Sequence, residues 1–296
     1  MVRGLDVGYS HTKDNTGYCV RSACGRGMVS IGKKLVIDGI DYQVGVGSMT
    51  SEVDKVNSEL NKVCTIYNLV QSTAKDLVLS VGLPIGQYTE QKERLKEQIL
   101  AYNKCEVQYD GHRVPISISQ VIVNPQGVSA LYALDNFRWS GQCIVVDVGG
   151  LTVDCCLVEM SSSGIKVLDC DTWYTGMRTL YSEIIARTNN LFQLKLDNNY
   201  AEKLLREARI VVRGKCYTIE YLKPILAEYV NRLESELNLK YATETTPIYL
   251  VGGGAILLAN SFQARFPDVH LVTNSQFANA IGYFRIANLL LGGEVQ

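Results

Sequence analysis

Charge of one sign is what this sequence most obviously lacks. Lys and Arg number 29 against 30 Asp and Glu, a formal net charge of −1, which gives no electrostatic argument for direct binding to nucleic acid or to an anionic membrane. The 3 histidines lie far apart, and the 9 cysteines (positions 19, 24, 64, 105, 143, 155, 156, 170 and 216) contain no CxxC pair, so no zinc-ligand spacing is present. An odd number of scattered thiols, behind an opening MVRGLDVGYS in which Asp6 interrupts any signal core, leads us to expect reduced thiols and a cytoplasmic protein. Thr245 to Ala264 is uncharged and long enough to span a bilayer. It nevertheless holds Pro247, Gly252, Gly253, Gly254, Asn260, Ser261 and Gln263, so no membrane span is expected. Pro-rich linkers, charge blocks and low-complexity stretches are also missing.

What is present is a soluble globular composition, 47% hydrophobic and 20% charged over 296 residues, long enough for two domains. Residues 3–9 read as a first strand, with 18–24 returning from its turn. KLVIDGIDYQVGV (34–46) reads as a hairpin around Asp38-Gly39, the dipeptide that a primed two-residue turn favours, and Asp110-Gly111 sits in similar surroundings. A buried strand is expected over 77–81, ending at Leu83-Pro84, and an amphipathic helix over 90–102. Asn124-Pro125-Gln126-Gly127 has the form of a helix start, with Asn124 as N-cap and Pro125 in the first turn. Strands follow at 144–148, 152–160 and 165–170, a mostly helical stretch at 179–239, a strand at 248–251, and helices at 255–266 and 277–290. Cys155 and Cys156 alternate along a strand, which makes at least one of them a small core residue. Trp139 and Trp173 read as core or lobe-interface residues rather than base-stacking platforms.

Two phrases repeat: RGLDVGYSHTKD from Arg3 and IVVDVGGLTVD from Ile144. Each places Asp-Val-Gly at the tip of a strand, with a charged residue seven positions after the aspartate, Lys13 in one and Asp154 in the other. Glycine turns let backbone N–H groups converge on an anion. Asp6 and Asp147 are then candidates to hold magnesium through its waters. Lys13 would meet phosphate, Ser10 would offer a hydroxyl, and Asp154 would add a carboxylate on the metal side. A single Asp-x-Gly turn is an ordinary hairpin feature. The two together, with Gly252–Gly254 opening a helix after a strand, favour a polyphosphate site.

The ordered set LDVGYSHTKD, VIVNPQGVSALYA, IVVDVGGLTVD, YTGMRTL, YLVGGGAILLAN and NAIGYFRIANLL resembles the five-part nucleotide-binding signature of the actin, sugar-kinase and heat-shock-chaperone ATPase superfamily. Within it, the Asp38-Gly39 hairpin, the VGLP segment at 81–84 and the chain length are most similar to the ParM (StbA) class of bacterial actin-like plasmid-segregation proteins.

The resemblance implies an α/β, two-lobed actin-like ATPase fold of duplicated ribonuclease H-like domains, with ATP (or GTP) and Mg2+ in the interlobe cleft. It divides the chain into lobe I, residues 1–125 with about 281–296, and lobe II, residues 126–280. Phosphate loop one would comprise Asp6, Gly8, Tyr9, Ser10, His11 and Lys13, and phosphate loop two Asp147, Gly149, Gly150, Leu151 and Asp154. The adenosine loop would be Gly252, Gly253 and Gly254, with Gly176 near the ribose and Glu202 and Lys203 near the base. Connecting helices would start near Gln126 and Asn279. Gln126 stands where many ParM-class proteins have glutamate, so its implied task is to orient the attacking water, since an amide is no general base. Capping its helix would explain it equally, and NYAEKLLREARI is by itself an ordinary solvated helix.

The function implied is a slow ATPase that polymerises head to tail and segregates plasmid DNA in a bacterial cytoplasm. Contact with DNA would pass through a small adaptor of the ParR type on a centromere-like site, with no direct DNA or membrane binding. The alternative is a small-molecule kinase of the same superfamily that does not polymerise, with Asp154 as base.

Overall fold

The computed structural model describes residues 1–27, 34–47, 49, 54–71, 76–134, 141–161 and 164–292; Trp139 lies outside them. The chain divides into two compact units, residues 1–138 with 272–296, and residues 139–271.

In the first unit, β1 (Val2–Val7), β2 (His11–Asp14) and β3 (Cys19–Arg21) form an antiparallel meander. A second layer follows: β4 (Cys24–Arg26), β5 (Leu35–Ile37) and β6 (Ile40–Val44), then helix α1 (Glu59–Val70). The chain returns to the first sheet as β7 (Leu77–Leu83), crosses over through α2 (Ile85–Ala101), and adds β8 (Val107–Tyr109) and β9 (His112–Arg113) to the second. It comes back again as β10 (Ile118–Pro125). The resulting sheets have the orders β10-β7-β1-β2-β3 and β4-β6-β5-β8-β9. Leu5, Leu79, Val81 and Val121 from the first sheet pack with Val63 and Ile66 of α1 and Leu95 and Ile99 of α2.

The second unit opens with β11 (Gly141–Val148), β12 (Val153–Ser161) and β13 (Gly164–Trp173), again an antiparallel meander. After α3 (Met177–Phe192) and α4 (Ala201–Glu207), β14 (Arg209–Val212) and β15 (Lys215–Thr218) form a hairpin. α5 (Leu222–Lys240) leads to β16 (Ile248–Val251), which crosses over through α6 (Gly253–Gln263) to β17 (Val269–Leu271). The order is β13-β12-β11-β16-β17. The two main sheets therefore share one plan: a meander whose first strand also accepts, on its other side, two parallel strands joined by a helix. β11 is central and buried on both faces, which is why Ile144-Val145-Val146 does not alternate with polar residues.

The last helix, α7 (Ala278–Leu290), belongs to the first unit. It lies against the backbone of its neighbours: a Cβ on Gly282 would fall 1.8 Å from the Ser129 carbonyl oxygen, and one on Gly4 in β1 would fall 2.0 Å from that of Ala280. Hydrogen in place of a side chain is what permits this approach.

Four expectations from sequence are revised. The partner of β1 is 11–14 rather than 18–24, because the turn is tighter than the hydrophobic pattern suggested. Asn124 and Pro125 end strand β10 instead of starting a helix: the Asn124 amide donates to Ser80 Oγ (2.8 Å) and to the Val81 carbonyl (3.0 Å), and only a short 3-10 turn at Val128–Ala133 follows. The stretch 179–239 is interrupted by the β14–β15 hairpin, whose Arg213-Gly214 turn has φ of 49° and 79°, the same primed geometry as Asp38-Gly39 and Asp110-Gly111. Helix α2 begins directly after Pro84, earlier than its charged pattern indicated. Among the described residues no helix is long and apolar enough to cross a membrane.

Candidate functional site

Register builds the first cluster. Asp6 on β1 and Lys13 on β2 are direct cross-strand partners, so their side chains leave the same face. The turn between them is closed by the Gly8 N–H donating to the His11 carbonyl at 3.1 Å. Lys13 Nζ lies 2.8 Å from Asp6 Oδ2, and Gln126 Nε2 donates to Asp6 Oδ1 at 2.9 Å. Burial, the largest influence, pushes the Asp6 carboxyl up. The charges of Lys13 and Lys55 and the hydrogen bonds from Lys13 and Gln126 together outweigh it and hold the group below its ordinary 3.8. Asp6 is therefore an anion at neutral pH. The same contact fixes the Gln126 amide, with its NH2 toward the carboxylate and its carbonyl oxygen turned away as an acceptor. Gln126 caps no helix with its side chain. Tyr9 is buried, with Lys55 Nζ 5.2 Å from its ring centre. Ser10 and His11 are half-buried, and His11 pairs with Arg21 on β3.

The second unit repeats the arrangement. Asp147 and Asp154 are cross-strand partners on β11 and β12, and the Gly149 N–H donates to the Thr152 carbonyl at 2.9 Å. The start of α3 docks on this turn: Gly176 N donates to Leu151 O (3.0 Å), Met177 N to Gly149 O (3.0 Å) and Arg178 N to Gly150 O (2.9 Å). The positive end of the helix thus lies against the hairpin. Among the described residues no protein acceptor takes the N–H of Gly150 or Leu151, which leaves both for an anion. Gly252, at φ +90°, ends β16 beside Asp147: a Cβ there would fall 2.4 Å from Asp147 Oδ1 and 2.6 Å from the Val148 carbonyl oxygen. Gly254 in α6 is equally confined by Val148 and Met177. Gly149, Gly150, Leu151, Gly176, Gly252, Gly254 and Asp147 are therefore one cluster, with Gly253 as the first residue of α6.

Two carboxylates directly opposite each other on one face repel, and Asp147 and Asp154 are both buried. Asp154 is held by Thr172 Oγ1, which donates to Oδ1 at 2.6 Å, and by Thr152 Oγ1, 3.4 Å from Oδ2. Such a pair suits a hydrated divalent cation. Among the described residues no group of three or more His, Cys, Asp or Glu side chains is placed to hold a metal ion.

Glu202 and Lys203 lie on α4. Glu202 accepts from Arg206 (2.6 Å), and Lys203 sits 4.0 Å from Glu207 and 5.3 Å from the Tyr200 ring centre. Trp173 ends β13 with its indole N–H 3.3 Å from Asp171 Oδ2. Sequence reasoning did not single out Lys55, whose charge acts on Asp6, or Thr172, which donates to Asp154. The first falls in SEVDKVNSEL and the second in a strand read as ending at Cys170, and neither has a spacing that marks it.

Paired hairpins with matched register, each in a sheet of the same plan, are accompanied by matches to two domain models. Residues 4–128 match the N-terminal domain of actin like proteins, and residues 145–264 match the C-terminal domain of the archaeal actin homologue MreB-like model. The chain belongs to the actin-like proteins. Two archaeal actin homologs, from Thermoplasma volcanium and Thermoplasma acidophilum, are each 26% identical over 222 residues, 70% of this chain and 67% of theirs. The fold of this actin-like protein is shared with an archaeal actin homolog solved in complex with ADP (TM-score 0.83, 25% identity, 98% of this chain and 99% of the other). It is also shared with a ParM from Clostridium botulinum solved as a 15-stranded filament (TM-score 0.80, 21% identity, 97% and 99%).

Proposed function

We propose that this actin-like protein binds ATP or GTP with Mg2+, hydrolyses it slowly, and assembles head to tail into filaments that come apart after hydrolysis. The observation that carries this reading is the duplicated hairpin: Asp6 with the Gly8 turn in one unit, Asp147 with the Gly149 turn in the other, at the same register. Gly8, Tyr9, Ser10, His11 and Lys13, and Gly149, Gly150 and Leu151, would take the phosphates. Gly176 and Gly252–Gly254 would take the nucleoside, with Glu202 and Lys203 at its outer edge. Bound magnesium would neutralise phosphate charge, held through water by Asp6, Asp147 and Asp154. Gln126, whose carbonyl oxygen is turned outward by its bond to Asp6, orients the attacking water; an amide oxygen positions but does not abstract the proton.

The cargo we assign is plasmid DNA in a bacterial cytoplasm, carried through a ParR-type adaptor on a centromere-like site. The likeness to a ParM filament and the near-zero net charge, which gives no overall electrostatic attraction to DNA, support it. Head-to-tail contacts do not close on themselves, which is what filament growth requires.

Light scattering and high-speed pelleting of the purified protein with magnesium and ATP, GTP, ADP or no nucleotide test the proposal. Scattering that rises with triphosphate and decays as it is consumed, with protein in the pellet, is expected. Bound ATP without any pelletable polymer across a wide protein concentration range would replace the filament with a kinase-like enzyme.

A further inference from the structure

Gln126 owes its aim to an unusual turn. Gly127, the residue after it, has φ of 77° and ψ of −68°, and the Val128 N–H donates to the Gln126 carbonyl at 2.9 Å. A hydrogen bond closed in this way about one residue of positive φ makes a γ-turn of the rare, strained kind. Such a conformation persists only where its surroundings impose it, and residues held so gather at functional sites.

What imposes it here is α7. The N–H of Gly127 takes no part in closing the turn, and Gly127 is buried, so that N–H needs an acceptor from elsewhere. Asn279 Oδ1, in the first turn of α7, accepts it at 3.0 Å, and Asn279 is itself buried. On either side of Gly127 the backbone is also tied: the Gln126 N–H donates to the Leu83 carbonyl at 2.8 Å, and Ser129 Oγ donates to the Pro125 carbonyl at 2.6 Å. The turn is therefore fixed to β7 at one end and to α7 at its centre, and the Gln126 side chain leaves it to reach Asp6 Oδ1 at 2.9 Å. The residue after Asn279, Ala280, sets its carbonyl oxygen against Gly4 of β1, two positions before Asp6. One turn of α7 thus holds both partners of the Gln126–Asp6 contact in register.

We propose that Asn279 is a positioning residue for hydrolysis, acting through Gln126 by holding the γ-turn that aims its amide. In this role Asn279 touches neither nucleotide nor water. Without Oδ1 the Gly127 N–H loses its acceptor, the turn relaxes toward an unstrained conformation, and the Gln126 carbonyl oxygen leaves the place from which it orients the attacking water. A misplacement of about 1 Å is enough to slow a reaction about a hundredfold. The proposal rests on the reading of Gln126 as the residue that orients water.

Single-turnover hydrolysis of ATP or GTP with magnesium in wild type, Asn279→Ala, Gln126→Ala and the double variant decides it, with triphosphate affinity measured alongside. Asn279→Ala should slow hydrolysis about tenfold, the factor for one lost hydrogen bond, with affinity within about twofold of wild type. The double variant should be no slower than Gln126→Ala, because a residue that acts through Gln126 then has nothing to act on. A double variant slowed by the full product of the two factors, or Asn279→Ala at the wild-type rate, would overturn the inference and leave Gln126 in its role. Gln126→Ala at the wild-type rate would instead end the water-orienting reading, and this inference with it. Exchange of the Gly127 amide proton needs no nucleotide and reads the turn directly. It should be at least about tenfold faster in Asn279→Ala and close to wild type in Asn279→Asp, which keeps an acceptor. Equal exchange in wild type and Asn279→Ala would overturn the hold of Asn279 on the turn, whatever the activity of the protein.

Discussion

Lys13 and Asp6 stand directly opposite each other on β1 and β2, and their side chains meet at 2.8 Å with little solvent on either. Removing the lysine strands a buried carboxylate. Lys13→Met should cost about 3 kcal/mol of folding stability, the usual size for breaking a buried pair from one side, read as a lower urea midpoint at neutral pH.

That carboxylate also sets an acid dependence. The folded Asp6 titrates below its ordinary 3.8, so its stabilising contribution is fully present above that value and is lost as pH falls through the folded value. The stability difference between wild type and Asp6→Asn, measured by urea unfolding, should be largest near neutrality and shrink below about pH 4. A difference that stays constant down to pH 2 would mean that the carboxyl is not held ionised by Lys13 and Gln126.

Gln126→Ala keeps the backbone bond from the Gln126 N–H to the Leu83 carbonyl and deletes the amide. Single-turnover hydrolysis should slow up to about 100-fold, the scale of a mispositioned reactant, with ATP affinity nearly unchanged and longer-lived polymers. Hydrolysis at the wild-type rate would reduce Gln126 to a brace for Asp6.

At Gly252 the backbone conformation and the nearness of Asp147 act together. Gly252→Ala should destabilise by at least about 1–3 kcal/mol from backbone strain alone, and nucleotide binding should fall because the new Cβ displaces the Asp147 carboxylate. Isothermal titration with ADP checks the binding, and thermal unfolding checks the strain.

Thr172→Val leaves Asp154 without its 2.6 Å donor, whereas Thr172→Ser keeps a hydroxyl. Magnesium-dependent nucleotide affinity should drop in the valine variant, by about tenfold for one hydrogen bond to a charged group, and return in the serine variant. Equal losses in both would assign the effect to packing of β13.

The glycine turns were legible because a tight strand-turn-strand leaves a local signature: an aspartate, a glycine two residues on and a charge at the seventh position, which the register then places opposite the aspartate. The three primed turns show where local reading succeeds and fails. Asp38-Gly39 and Asp110-Gly111 were visible, but Arg213-Gly214 was hidden between helices, where RIVV and KCYT blended into a charged amphipathic pattern. Asn124-Pro125 imitates a helix start in sequence, and only the neighbouring strand β7, through Ser80 Oγ and the Val81 carbonyl, gives its amide other partners. Lys55 and Thr172 reach their positions through tertiary packing, which no spacing within a segment encodes.

The seat of α7 against β1 bears on how the protein is made. The second unit is one uninterrupted run of residues, 139–271, and has all of its strands as soon as that run leaves the ribosome. The first unit must wait: Gly4 keeps an open face from the time β1 is made until Ala280 and Phe284 arrive to cover it. The β1–β3 meander is thus made before the second unit and covered after it, with one face open while residues 139–271 are translated. Synthesis that stalls between the second unit and α7 should therefore injure the first unit rather than the second.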